Sequence, residues 1–207
     1  MGIPIVSVPQ LLSNTANKSA ENPDYDHPFY QKVGEMVRNG DEAAILREKI
    51  PIKLLRLTPA AQEGCILIDY PYELEQAELL EEYRGGLNAF VHVSLPDEIL
   101  VDIEETKVCC QDCTKTYYKD DVISEEHGVR IEAHIPEDGH CFDCGSTNLA
   151  PGSDPMRFER ELEIYSSKKE GLLSFYNELG LLVDFEPRRG YEDYEKMKRQ
   201  IQYNMKH

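Results

Sequence analysis

The 207-residue sequence predicts an α/β protein, a parallel sheet flanked by helices, interrupted by a cysteine-rich insertion. Two observations carry that reading. Strand-like and helix-like segments alternate along most of the chain, the order that builds parallel sheets from crossover units. Between positions 108 and 150 the alternation breaks, and five of the six cysteines fall there.

Taken in order, Ile3-Pro4-Ile5-Val6-Ser7-Val8 is β-branched and closed by Pro9, a short strand. Residues 13–27 are polar and turn-rich and predict no regular element. A helix follows over Phe29–Arg38 and stops at Asn39-Gly40. A second helical pattern spans Asp41–Lys49, and Pro51 is expected to kink or end it. Cys65-Ile66-Leu67-Ile68 is an unbroken apolar run, the pattern of a strand covered on both faces, with Cys65 an inert core thiol. Glu73–Tyr83 reads as a helix and Ala89–Val93 as the next strand. Pro96-Asp97-Glu98 opens another helix, with proline in its first turn and acids near its amino end.

Beyond the insertion, apolar residues at helical spacing, Leu162, Tyr165, Leu172 and Tyr176 among them, predict a helix over Phe158–Leu179 capped by Gly180. Leu181–Phe185 is the last strand, and Tyr191–Met205 a final amphipathic helix. Its stripe of Tyr194, Met197, Ile201 and Met205 is read as core-facing. The expected division is a core from 1 to 107, an insertion from 108 to 150 and a returning core from 151 to 207.

Charge narrows the partners. With 22 Lys and Arg against 39 Asp and Glu, the net charge is -17, which repels nucleic-acid phosphates and anionic lipid. No run approaches the 18 apolar residues of a membrane span, so neither nucleic acid nor membrane insertion is expected. No basic residue precedes Lys18, as a secretory signal would require, and Val6 stands where myristoylation of Gly2 wants Ser or Thr. An intracellular setting is expected, cytoplasmic or cytoskeletal, with a mitochondrial one through an uncleaved signal as the alternative. The cysteines are then thiols or metal ligands rather than disulfides. The acidic pairs Asp97-Glu98, Glu104-Glu105, Asp120-Asp121 and Glu125-Glu126 read as solvated surface, and Arg188-Arg189 as a loop island or ion-paired site.

Cys110-x-x-Cys113 and Cys141-x-x-Cys144 are two thiol pairs 27 residues apart. A gap of two residues lets both thiols of one turn reach one ion, and zinc takes four soft ligands in a tetrahedron. Four thiolates leave no open position, so the expected Zn²⁺ is structural, contributing on the order of 10–16 kcal/mol to the folding of its segment. Cys109 in place of Cys110, His140 in place of Cys141, and free or redox-active thiols are the alternatives. His127 and His134 are spare ligands or surface residues.

Several stretches occur in a telling order: Gly2-Ile3-Pro4-Ile5-Val6-Ser7 with Leu11-Leu12; Gly64-Cys65-Ile66-Leu67-Ile68-Asp69-Tyr70-Pro71 with Gln76-Ala77; and Ala89–Val93 with Pro96-Asp97-Glu98. The two cysteine pairs come next, then Glu161–Tyr165 through Gly180–Val183. Together they resemble the adenylate kinase family in the form whose lid binds zinc, over nearly the whole chain. The resemblance implies a five-stranded parallel sheet, ordered 2-3-1-4-5, with the lid inserted. It also implies that Gln76 touches the adenine of a bound monophosphate and that Gly40 is kept from the same pocket, a vestigial nucleotide site.

The departures concern cations. The family opens with a strand and a Gly-rich loop ending in Gly-Lys, whose backbone N–H groups hold phosphates. No Gly-x-x-x-x-Gly-Lys occurs in these 207 residues, and Met1 aligns just before the second strand. The sheet is therefore expected to lack its first, central strand, leaving a slot between Cys65–Ile68 and Ala89–Val93. Val8-Pro9-Gln10 and Ser13 replace Thr-Gly-Asp and an arginine, and Tyr72-Glu73 replaces Arg-Thr. Ile68 stands at the magnesium-linked aspartate, one place before Asp69. Ile103–Lys107 replaces an arginine-rich stretch with one cation, and Ala150 and Glu161 align with two further arginines. No catalytic residue is assigned and no nucleotide is expected. The resulting expectation is an inactive adenylate-kinase-like subunit of a larger assembly, with a protein partner donating a strand or covering the slot. The alternatives are an active kinase whose phosphate loop is supplied elsewhere and a nucleotide-sensing module built on Gln76.

Overall fold

The computed structural model describes residues 3–21, 28–41, 45, 49–83 and 85–205. The chain divides into two compact units, Met1–Leu87 and Asn88–His207.

In the first unit, β1 (Ile5–Ser7) leads directly into α1 (Val8–Glu21), followed by α2 (Pro28–Arg38), α3 (Ile50–Leu57), α4 (Pro59–Glu63), β2 (Ile66–Ile68) and α5 (Leu74–Glu81). Strands β1 and β2 pair in parallel, Ile5 opposite Ile66 and Ser7 opposite Ile68. The core gathers Val6, Val8, Ile52, Leu55, Tyr70 and Leu80. A second cluster, Val33, Ile50 and Leu54, lies under α2 and α3.

Three expectations change here. The polar stretch from residue 13 begins inside α1: Val8, Thr15 and Ala16 are buried and Leu11 and Leu12 half-buried, a narrow apolar face that its polar neighbours disguise. Pro51, expected to kink or end the preceding helix, also opens α3, where its missing N–H belongs to the unsatisfied first turn. The Asp41–Lys49 helix falls largely outside the described residues. The third change is in β2, which is covered on one face only: Ile66 and Ile68 are 49% and 42% exposed while Leu67 packs inward. Strand side chains alternate between faces, so a short apolar run is compatible with one open side.

The second unit begins with β3 (Phe90–Val93) and α6 (Asp97–Glu105), enters the insertion, and returns through α7 (Pro155–Glu178), β9 (Leu182–Phe185), a 3₁₀ turn (Gly190–Asp193) and α8 (Tyr194–Asn204). Strands β3 and β9 are parallel, with Phe90 opposite Leu182. Leu172 and Tyr176 of α7 are wholly buried, and the Tyr176 ring stacks on Phe90 at 4.2 Å. Gly180, at φ 71, turns the chain from α7 toward β9 as the expected cap. Of the α8 stripe, Met197 and Ile201 are half-buried, whereas Tyr194 and Met205 are exposed.

The chain is thus a mixed α/β protein with small parallel sheets. Among the described residues β2 pairs only with β1, and β3 only with β9. No described helix is long and apolar enough to cross a membrane.

Candidate metal centre

The insertion is a small β structure on an antiparallel stem. Strand β4 (Lys107–Cys110) pairs on one side with β5 (Thr116–Tyr118) and on the other with β8 (Leu149–Pro151). A separate hairpin joins β6 (Val122–Ser124) to β7 (Val129–Ile131).

Each thiol pair sits on a tight turn of the same construction. After the first, Thr114 N–H donates to Cys110 O at 2.9 Å and Cys110 N–H to Lys115 O at 2.9 Å. After the second, Gly145 N–H donates to Cys141 O at 2.8 Å and Cys141 N–H to Ser146 O at 2.7 Å. Both turns need a left-handed residue, filled by Gly145 at φ 72 and, against its preference, by β-branched Thr114 at φ 64.

The four sulfurs of Cys110, Cys113, Cys141 and Cys144 lie within 4.8 Å of one another. Across the turns, Cys110 and Cys144 are 3.6 Å apart and Cys113 and Cys141 3.4 Å. A tetrahedron with Zn–S bonds of about 2.3 Å has edges of about 3.8 Å, so the spacing suits one such ion and is far too long for disulfides. Four converging thiols could hold a metal ion. Cys109 instead directs its sulfur toward Thr116 Oγ1 at 3.9 Å, and His140 is tied to Asp138 on the surface.

Groups outside the four sulfurs join the turns. Asp112, between the first two cysteines, accepts from Ser146 Oγ and from Asn148 Nδ2 beyond the second pair, and these bonds hold its carboxyl below the usual range. Lys115 reaches Asp143 at 3.4 Å. The fully buried Tyr117 hydroxyl lies 3.1 Å from Cys141 Sγ and accepts the N–H of Phe142 at 2.9 Å. That hydroxyl, first among several causes and partly opposed by burial, lowers the Cys141 thiol to about 6. At Cys113 the Lys115 backbone N–H favours the thiolate, yet neighbouring sulfurs and burial leave its thiol pushed up to about 12. The sequence marks Tyr117 only as an aromatic after a turn; nothing local shows that it meets Cys141, 24 residues on.

Comparison with known proteins agrees with the motif order. The adenylate kinase of Archaeoglobus fulgidus is 27% identical over 196 residues, 92% of this chain and 82% of that protein. Those of Syntrophomonas wolfei and Symbiobacterium thermophilum are 23% and 28% identical, over 91% and 74% of this chain and 81% and 65% of their own. No protein-family model matches the chain. Over most of its length the chain is similar to adenylate kinases.

The remaining positions that the resemblance singles out have definite neighbours. Gln76 is half-buried at the start of α5; its Oε1 accepts Tyr72 N–H at 2.8 Å and its Nε2 donates to Glu73 at 3.3 Å. Gly40 lies in the exposed turn after α2, at φ 65. Asp69 meets Ser7 Oγ at 3.5 Å. At the root of the insertion, Lys107 Nζ contacts both oxygens of Glu104 at 3.1 Å, and Glu104, 7% exposed, also accepts Asp154 N–H. Arg157 pairs with Glu161 at 2.8 Å, Arg188 with Glu186 at 2.6 Å and Arg189 with Glu192 at 3.2 Å.

Proposed function

We propose that this adenylate-kinase-family chain does not transfer phosphoryl groups and serves as a structural or docking subunit of a protein assembly, its four cysteines holding a structural zinc. The observation that carries the reading is the neutralisation of Lys107. In the stretch where the family resemblance implies several phosphate-binding arginines, Lys107 is the single cation, and buried Glu104 occupies it.

Phosphoryl transfer is catalysed chiefly by positioning and by cationic stabilisation of spread negative charge, and one arginine of this kind can be worth about 10³–10⁵ in rate. Here Glu73, Glu105 and Glu161 bring repulsion to such positions, and Arg157 is paired with Glu161. These positions lie inside the chain, so a phosphate loop supplied from elsewhere would not alter them. The Gln76 amide is engaged at both ends within its own turn, which argues against an adenine contact.

The docking role draws on the strand edges. Ladder partners are found on one edge only of β2 and β3 among the described residues, and Ile5, Ile66, Ile68 and Val93 are exposed beside them. A protein partner that adds a strand there would satisfy backbone groups and cover apolar surface together. An intracellular assembly fits the thiol-rich centre.

A second reading is favoured by the names of the relatives, all adenylate kinases: an active nucleoside-monophosphate kinase completed by another segment. Calorimetric titration with ATP, ADP and AMP, with and without magnesium, separates the two. No heat at millimolar nucleotide is expected. Saturable magnesium-dependent ATP binding together with turnover in a coupled ADP assay would overturn the proposal, and AMP binding without turnover would favour a sensing module.

A further inference from the structure

Tyr117 lies on β5, opposite Val108 of the insertion stem, and its ring is fully buried. Phe142 meets that ring edge-on at 5.6 Å, and His134 lies tilted beside it at 6.2 Å. The ring is therefore held from several sides, and its hydroxyl has a fixed direction. At that hydroxyl two contacts converge: it accepts the Phe142 backbone N–H at 2.9 Å, and Cys141 Sγ lies 3.1 Å away. A phenol carries a single proton, and the Phe142 N–H has already taken an acceptor site on its oxygen. The phenolic proton is thus left to point at sulfur.

We propose that Tyr117 is a positioning residue for the metal centre, donating its hydroxyl proton to the Cys141 thiolate and fixing that sulfur for the ion. The inference rests on the metal reading given above. Its chemistry differs from that of a packing residue. A hydrogen bond to a metal-bound thiolate draws electron density from the sulfur lone pairs, stabilising them and making the sulfur a poorer nucleophile. Outer-shell bonds of this kind also fix the ligand before the ion arrives, and their loss typically weakens metal affinity about 10–100-fold. The hydroxyl also serves the turn, since the Phe142 N–H that opens the Cys141–Cys144 knuckle has it as acceptor.

The test uses the full chain loaded with Co²⁺ as a spectroscopic probe and with Zn²⁺ for affinity. Tyr117→Phe keeps the ring and removes only the hydroxyl. The thiolate-to-cobalt charge-transfer band should move to longer wavelength, zinc should be lost to a competing chelator at about 10–100-fold lower chelator excess, and zinc-bound Cys141 should alkylate faster. Tyr118→Phe, the neighbouring tyrosine, should match wild type in all three. Replacing Tyr117 by 3-fluorotyrosine strengthens the donor without removing it and should move the band the opposite way, which keeps the idea testable should the phenylalanine variant fail to fold. Wild-type spectra and affinity in Tyr117→Phe, or no band shift with fluorotyrosine, would overturn the assignment alone. A wild-type chain that takes up neither metal would overturn the centre, and this role with it.

Discussion

Glu104 is buried, and Lys107 and the Asp154 N–H both meet it, one as an ion pair and one by a backbone hydrogen bond. Glu104→Gln keeps an acceptor for Asp154 but leaves the partly buried ammonium without its counter-charge. A loss of about 1–3 kcal/mol is expected in urea unfolding, with Glu104→Ala losing more because the N–H at the start of α7 is orphaned as well. Thr114 has the opposite character, a β-branched residue held at φ 64 where the equivalent turn has Gly145. Thr114→Gly should therefore raise the melting temperature of the metal-free chain, with a gain of about 1 kcal/mol. Cys141 sets a pH dependence. Its thiol is lowered in the fold from 9 to about 6, so its contribution is present above pH 9 and is lost as pH falls toward 6. Metal-free Cys141→Ser should show a flatter stability profile than wild type across that window, and an unchanged slope would contradict the Tyr117 contact. At this scale the sequence displays the four ligands, because a two-residue gap is a local signal. It hides the meeting of Tyr117 with Cys141, 24 residues on, and that of Glu104 with the Asp154 N–H, 50 residues on.

At the scale of elements, strands and helices with strong patterns stand where their periodicity puts them: α2, α5, α6, α7, β3 and β9 differ from expectation by a few residues at their ends. The failures have identifiable causes. In α1 the apolar face is narrow and its flanks carry Ser, Asn and Thr, which read equally as a loop. Strands β4 to β8 are as short as β3 and β9, but no helix separates one from the next to mark their ends. Strand β2 shows an apolar run that does not say which side is covered. Its open face makes a direct comparison available. Ile68→Thr, on the exposed side, should change stability by no more than about 1 kcal/mol, whereas Leu55→Ala in the same unit's core should cost about 2–5 kcal/mol. Equal losses would mean that Ile68 is covered in solution.

For the whole molecule, charge dominates. A net charge of -17 spread over 207 residues imposes self-repulsion that added salt screens. The melting temperature should rise as sodium chloride goes from about 10 mM to about 500 mM, where the Debye length falls well below 10 Å. A chain governed by its surface ion pairs would instead weaken with salt. The acidity is plain from composition, and the mixed α/β class and the cysteine-rich segment from the order of elements and cysteines. The division into two units, Met1–Leu87 and Asn88–His207, is not, because its one local mark, Gly85-Gly86, reads equally as an ordinary turn between a helix and a strand.

The stem of the insertion has one more consequence. Val108 lies opposite Pro151, and Gly152 N–H closes on Lys107 O at 3.0 Å, so the polypeptide leaves and re-enters its scaffold through a single doorway. Past that doorway the β6–β7 hairpin leans back on the scaffold, Val122 and Val129 burying Ile99 of α6 and Arg130 N–H donating to Arg188 O at 2.7 Å, so excising the segment would strip Ile99 of its cover. A shortened chain would need a new apolar partner for that helix as well as a turn to close the stem.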